Sequence, residues 1–199
     1  MLFRSNIVGY YAGADRIARA VYGLLAPASE AVYPRITRVA LRSQTEARRL
    51  ARLALVLVGA MGLGMAAGIF LLAPYLVHKI LGPGFEPAVL LLRIFSILPP
   101  AIALRNILGI HWMLPLNLER ELNAIVLGGG VLNIVLALLV VPWLGGVGLA
   151  WVVVGSQVAA GIATHAVLRR MRLDPLSNAL PEDLPEVTEE LCAAEEVGK

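Results

Sequence analysis

Apolar residues run along this chain in long unbroken blocks, not at alternate positions or in short helical stripes. Residues 53–77 contain no Asp, Glu, Lys or Arg, and neither do residues 122–168, where only His165 could carry a charge. A helix needs about 20 apolar residues to cross a bilayer, so the first block predicts one span and the second predicts two. Five spans follow along the chain: residues 17–33, 53–77, 88–114, 122–141 and 147–168. Pro142-Trp143-Leu144-Gly145-Gly146 reads as a tight interfacial turn between the last two, with Trp143 as its anchor. Leu81-Gly82-Pro83-Gly84 does the same between the second and third. Ser43 and Glu46 have capping-box spacing, so the second helix starts before its apolar block. No internal repeat is evident.

Residues 1–14 contain Arg4 and Asn6, are too short to span, and lack the apolar core of a signal peptide. They offer no membrane-entry signal of their own. Residues 15–173 form the transmembrane helical bundle. Residues 174–199 carry six Glu, two Asp and three Pro with little apolar surface, and predict an acidic, mostly disordered extension. The expected fold is therefore all-α: a polytopic membrane helix bundle of about five transmembrane helices.

Composition narrows the class. Hydrophobic residues make up 58% of the 199 and charged residues 16%, against about 45–50% and about 25% in soluble domains. That excludes a cytosolic globular domain, a disordered chain and a disulfide-framed secreted module. Charge is unevenly placed: residues 1–172 hold 16 basic and 6 acidic residues, whereas residues 173–199 hold 1 basic and 8 acidic. The Arg residues flank apolar spans, so they read as orientation signals facing lipid headgroups and not as a nucleic-acid surface. Arg35, Arg38, Arg42, Arg48, Arg49 and Arg52 lie between the first and second spans, Arg120 between the third and fourth, and Arg169, Arg170 and Arg172 after the fifth. The other connections hold only Lys79. These positions alternate consistently, which places the Arg-rich side and the C-terminus in the cytoplasm by the positive-inside rule. Cys192 is the one cysteine, so no intrachain disulfide forms, and with His78, His111 and His165 it builds no metal site. No nucleophile–base pair, phosphate loop or nucleotide fingerprint is present; neither a cofactor nor an enzymatic activity is expected.

Polar groups inside the spans are the candidate chemistry. Arg19 and Glu30 are 11 residues apart, about 20° from eclipsed on a helix, and Gly23 and Pro27 share their stripe. A charge at mid-bilayer costs about 2.5–3.5 kcal/mol, so this stripe should face protein or a water-filled cavity. Arg93 and Arg105 lie within the third span, with Asn106 beside Arg105. Arginine cannot escape the cost by deprotonating; it needs a counter-ion, a cavity or an anionic ligand. Arg19, Glu30, Arg93, Arg105 and Asn106 are therefore the candidate cavity residues. Asn123, Gly130 and Asn133, then Gln157, Gly161 and Thr164, read as helix-packing positions, as does the small-residue stripe Ala60, Gly64, Gly68.

Several stretches resemble a known family. Val8-Gly9-Tyr10-Tyr11-Ala12-Gly13-Ala14, followed by Val32-Tyr33-Pro34-Arg35-Ile36, is similar to a stretch of Wzx-type polysaccharide (O-antigen) flippases. So are Leu91-Leu92-Arg93-Ile94, the run from Gly109 to Leu116, Gly130-Val131-Leu132-Asn133, and Val141-Pro142 with the run from Gly145 to Ala150. The resemblance covers about residues 8–170 and implies the multidrug, oligosaccharidyl-lipid and polysaccharide exporter superfamily. His111 stands where the family pattern has Gln. The resemblance implies two bundles around a central cavity that flip undecaprenyl-pyrophosphate-linked glycans across the bacterial inner membrane by alternating access. This chain would be the C-terminal half of such a transporter, with residues 1–14 the outer-side remnant of a missing helix, partnered by the lipid bilayer, a lipid-linked oligosaccharide, and the missing N-terminal half or a second copy. A cationic cavity suits that cargo, because guanidinium bonds phosphate in two-pronged fashion. The alternatives are another lipid-precursor or drug exporter of the same superfamily, and an inert fragment or non-catalytic membrane subunit.

Overall fold

A computed structural model describes residues 2–27, 30, 44–116 and 118–171. Among them all regular structure is helical. Helix α1 is Leu2–Tyr22, α2 is Gln44–Ile80, α3 is Pro87–Phe95, α4 is Leu98–Arg105 and α5 is Glu119–Arg170. Between α4 and α5 the chain continues as a π-helix, Asn106–Met113, and one 3-10 turn, Leu114–Leu116. The described part of α2 reaches back to Gln44, before the apolar block at residue 53 as expected, and Ser43 of the capping box lies outside the described residues. The acidic extension, residues 174–199, lies outside the described residues.

Three stretches are long and apolar enough to cross a membrane: Arg49–Ile80, Pro87–Met113 and Glu119–Arg170. The last has 52 residues, about 78 Å of helix, far more than the roughly 30 Å of a bilayer core. It is broken at Gly145, which sits at φ 59° and ψ −137°. A side chain at that conformation is strongly disfavoured, so glycine allows the chain to reverse there. The two limbs, 119–144 and 146–170, run about 38 Å each. Asn133 and Ser156, placed almost symmetrically about Gly145, are hydrogen-bonded at 2.8 Å, so the limbs lie side by side. The fourth and fifth predicted spans thus form one antiparallel hairpin.

The third run, Pro87–Met113, is the central pillar. Half of its most apolar stretch is buried, against 17% for α2 and none for α5. It packs on α2 and α5 along its length and on α1 through α3. It is also the least regular. Pro99 and Pro100 cannot donate to the carbonyls behind them, so α3 ends and α4 restarts at Leu98 with proline in its first turn. Ser96 Oγ donates to the Arg93 carbonyl at 2.6 Å and caps the break.

Helix α1 runs unbroken from Leu2 to Tyr22, through residues 2–14 and into the expected first span at 17–33; residues 28, 29 and 31–33 of that span lie outside the described residues. Ala14, Ile17 and Ala18 are buried in the core. Tyr10 and Tyr11 make edge-on contacts with Phe85 and Phe95. A tightened turn at Gly23 and Leu24 follows, and Leu25 is buried in a second cluster.

Two apolar clusters mark the two ends of the bundle. One gathers α1, the ends of α2 and α3 nearest the Leu81–Phe85 connection, and the α5 hairpin tip; there a Cβ on Gly146 would lie 3.0 Å from Ile7 Cγ2. The other gathers Leu25, Ala51, Ala54, Met113, Leu122 and Leu168. Arg49, Arg52, Arg120, Arg169 and Arg170 flank this second cluster in sequence, so the structure sorts the basic helix ends to one side. Where α2 crosses α4, a Cβ on Gly62 would lie 3.1 Å from Pro100 Cα and from the Pro99 carbonyl. The expected contact stripe is displaced: Ala60 and Gly64 are exposed, and a Cβ on Gly64 or Gly68 would meet nothing within 4 Å.

Candidate functional site: a polar cleft in the hairpin

Arg105 closes α4 and is half-buried against the α5 hairpin. It lines a cleft of about 400 Å³ with Ile125, Val126, Gly129, Gly130, Asn133 and Ile134 from the first limb and Ser156, Gln157 and Ala160 from the second. These positions fall near the middle of each limb, so the cleft lies at mid-height of the hairpin. Its polar groups are one guanidinium, two amides and one hydroxyl; no carboxylate lines it. Among the described residues none forms an ion pair with Arg105, whereas Asp15 and Arg19 do pair. The Asn133 amide donates to Ser156 Oγ, which donates to the Val153 carbonyl at 2.9 Å. The first of these bonds clasps the limbs and fixes one wall of the cleft.

The other expected site residues lie elsewhere. Arg19 Nε donates to Asp15 Oδ2 at 2.7 Å, one helical turn back, and the Arg19 side chain is 67% exposed. Glu30 is exposed, and the break at Gly23 interrupts the helical phase that would have stacked it over Arg19. Arg93 is exposed on α3, with its guanidinium carbon 5.2 Å from the centre of the Phe70 ring on α2. That arrangement satisfies a cation locally through the ring quadrupole. Asn106 is half-buried beside Arg105, and its backbone carbonyl is 2.8 Å from His111 Nδ1.

Asn133 and Gln157 read as packing residues in the sequence. Asn133 does pack, through Ser156, and both also line the cleft. Ser156 is missed by sequence reasoning; its near-mirror position to Asn133 about the Gly145 turn is the feature that points to it. Thr164 and Gly161 do pack: Thr164 is fully buried and donates to the Ala160 carbonyl at 2.8 Å, and Gly161 lies against Leu104. Among the described residues no group of three or more His, Cys, Asp or Glu could hold a metal ion.

Fold and cleft together define an all-α, multi-pass membrane helix bundle with a cation facing its polar cleft. In sequence the chain is similar to two curated proteins, each named "Putative O-antigen transporter". It is 34% identical to the one from Escherichia coli (strain K12) over 129 residues, 65% of this chain and 31% of that relative. It is 25% identical to the one from Shigella dysenteriae over 152 residues, 76% of this chain and 38% of that relative. The matched region therefore spans about a third of each relative's length. No family model matches the chain, and no solved structure matches it. The similarity supports an O-antigen-flippase-like protein.

Proposed function

We propose that this chain is part of a flippase that moves undecaprenyl-pyrophosphate-linked polysaccharide repeat units across the bacterial inner membrane by alternating access. One observation carries the reading: Arg105 stands in a polar cleft at mid-height with no carboxylate beside it, in a chain similar to O-antigen transporters. A guanidinium there is costly unless it meets an anion or water, and a pyrophosphate offers oxygens that its planar fork can bind in pairs. A cleft of about 400 Å³ suits the phosphate-bearing end of the cargo and leaves the sugars to a larger cavity. Asn133 and Gln157 would supply further donors. Arg19, Glu30, Arg93 and Asn106 are proposed as cavity residues of the whole transporter on their sequence pattern, with Arg105 ranked first. The basic helix ends would face the cytoplasm, as would the C-terminus. The reading assigns the chain no catalytic step.

The test is export of surface glycan by a complete transporter containing these residues. Losing a charge-assisted hydrogen bond costs about 1.5–3 kcal/mol, so Arg105→Ala should lower export roughly ten- to a hundred-fold. Arg105→Lys should also be impaired, because an ammonium lacks the planar fork. Arg120→Ala and Arg169→Ala, at exposed helix ends, should export normally. Full export by Arg105→Ala would remove the assignment.

A further inference from the structure

We infer that His111 is a positioning residue for Arg105, acting through the π-helical segment that begins at Asn106. The inference rests on the flippase reading of the cleft. A π-turn bonds residue i to i+5, is rare, and occurs mostly as a single turn; here it extends over eight residues, Asn106–Met113. Arg105 is the residue immediately before it. His111 lies five positions after Asn106, is 4% exposed, and places ring Nδ1 at 2.8 Å from the Asn106 carbonyl. A carbonyl only accepts, so Nδ1 must carry the hydrogen and donate. The ring therefore bonds the same carbonyl that the π register assigns to the backbone N–H of residue 111 and holds the two ends of that turn together.

The register matters to Arg105 because the far side of the turn is anchored. Ile107, Leu108, Gly109, His111, Trp112 and Met113 are all buried, and the segment packs on α2 and α5. An α-turn bonds i to i+4, so collapse of one π-turn into α shifts one side against the other by a residue, about 100°. Leu98, Pro99 and Ala103 of α4 are packed on one side and residues 107–113 on the other, so the change of register falls on residues 104–106, where Arg105 stands. Arg105 would then leave the cleft between the hairpin limbs. A misplacement of about 1 Å in a positioned group can cost roughly a hundred-fold in rate.

Two variants separate positioning from packing. His111→Leu fills the space and removes the donor; His111→Asn leaves space and keeps an N–H donor close to where Nδ1 stood. Both go into a complete transporter containing this segment, beside Arg105→Ala, with surface glycan as the readout. We expect His111→Leu to fall at least about tenfold and His111→Asn to recover most of the export. A purely structural role ranks them the other way, so Leu equal to or better than Asn overturns the inference. The second measurement does not depend on export: the rate at which Arg105→Cys, in a Cys192→Ser background, reacts with a hydrophilic thiol reagent in membranes. Adding His111→Leu should slow or abolish that reaction and adding His111→Asn should leave it unchanged; equal rates in both overturn the inference. If Arg105→Ala exports normally, the flippase reading of the cleft has failed. If Arg105→Ala is inactive while His111→Leu exports and labels as the parent does, the positioning role alone has failed.

Discussion

Arg93 and Arg105 carry the same guanidinium twelve residues apart in one run of helix, and their surroundings separate them. Arg93 rests over the Phe70 ring at the bundle surface; Arg105 enters a cleft with two amides and a hydroxyl. Periodicity flags both as expensive cations but does not distinguish them, because the distinction depends on which neighbouring helix each one meets. The Asn133–Ser156 bond is similar: each residue reads as a packing amide or a small polar side chain until the hairpin pairs them. Interhelical hydrogen bonds in bilayers couple by about 0.6 kcal/mol on average and up to about 1.7. A double-mutant cycle of Asn133→Ala and Ser156→Ala, measured by unfolding in mixed micelles, should return a coupling in that range. A coupling of zero would show that the two limbs are held by packing alone. Arg19→Ala should affect glycan export less than Arg105→Ala, since Arg19 is bonded to Asp15 on its own helix.

At the scale of elements, Gly145 does what its turn motif predicts and Gly62 does what no motif predicts. A residue with a Cβ at the φ and ψ of Gly145 costs on the order of 1–3 kcal/mol, so Gly145→Ala should destabilise the hairpin by about that amount in the same unfolding assay. The flanking residues cannot take over the reversal: Leu144 carries a Cβ, and Gly146 is needed for its own contact with Ile7. Gly62→Leu should be worse than Gly64→Leu, because the first drives a side chain into the Pro99–Pro100 backbone and the second points into open space. Equal effects would mean that α2 and α4 do not cross at Gly62. Helix α1 begins well before the apolar window at residues 17–33, for a physical reason: Arg4, Asn6, Asp15 and Arg16 depress the hydropathy of residues 2–16. The helix is held instead by its buried face at Ala14, Ile17 and Ala18 and by the two tyrosine contacts.

For the whole molecule, the sorting of basic helix ends to one side gives an orientation to test. Cys192 should resist impermeant thiol reagents added to intact cells and react once the inner membrane is opened; labelling from the periplasm would reverse the assignment. The most apolar stretch of α5 is unburied within the chain, and a Cβ on Gly128, Gly129 or Gly130 would meet nothing within 4 Å. Three glycines in a helix interior each cost about 1 kcal/mol relative to alanine, and no contact among the described residues requires them. Residues 1–199 expressed alone should not restore surface glycan to cells lacking the corresponding flippase, because the matched region spans only about a third of each O-antigen transporter it resembles. Restored glycan would point to transport by copies of this chain together.

The amino-acid sequence by itself determined that the protein is helical and membrane-embedded, where most spans lie, and which ends are basic. Those properties depend on the local density of apolar side chains and on charges at their edges, and a bilayer reads them one segment at a time. It also determined the reversal at Pro142–Gly146, because turn geometry is a property of a few adjacent residues. Only the tertiary structure decided that Pro87–Met113 is the buried pillar, that Gly62 is the crossing point, and that Arg105 alone among the five candidates lines the hairpin cleft. The apolar blocks are nearly uniform around their circumference, so they do not encode which face meets which neighbour. That choice rests on close approach at single residues, on a π-helical register in the third run, and on one amide paired with one hydroxyl across a turn.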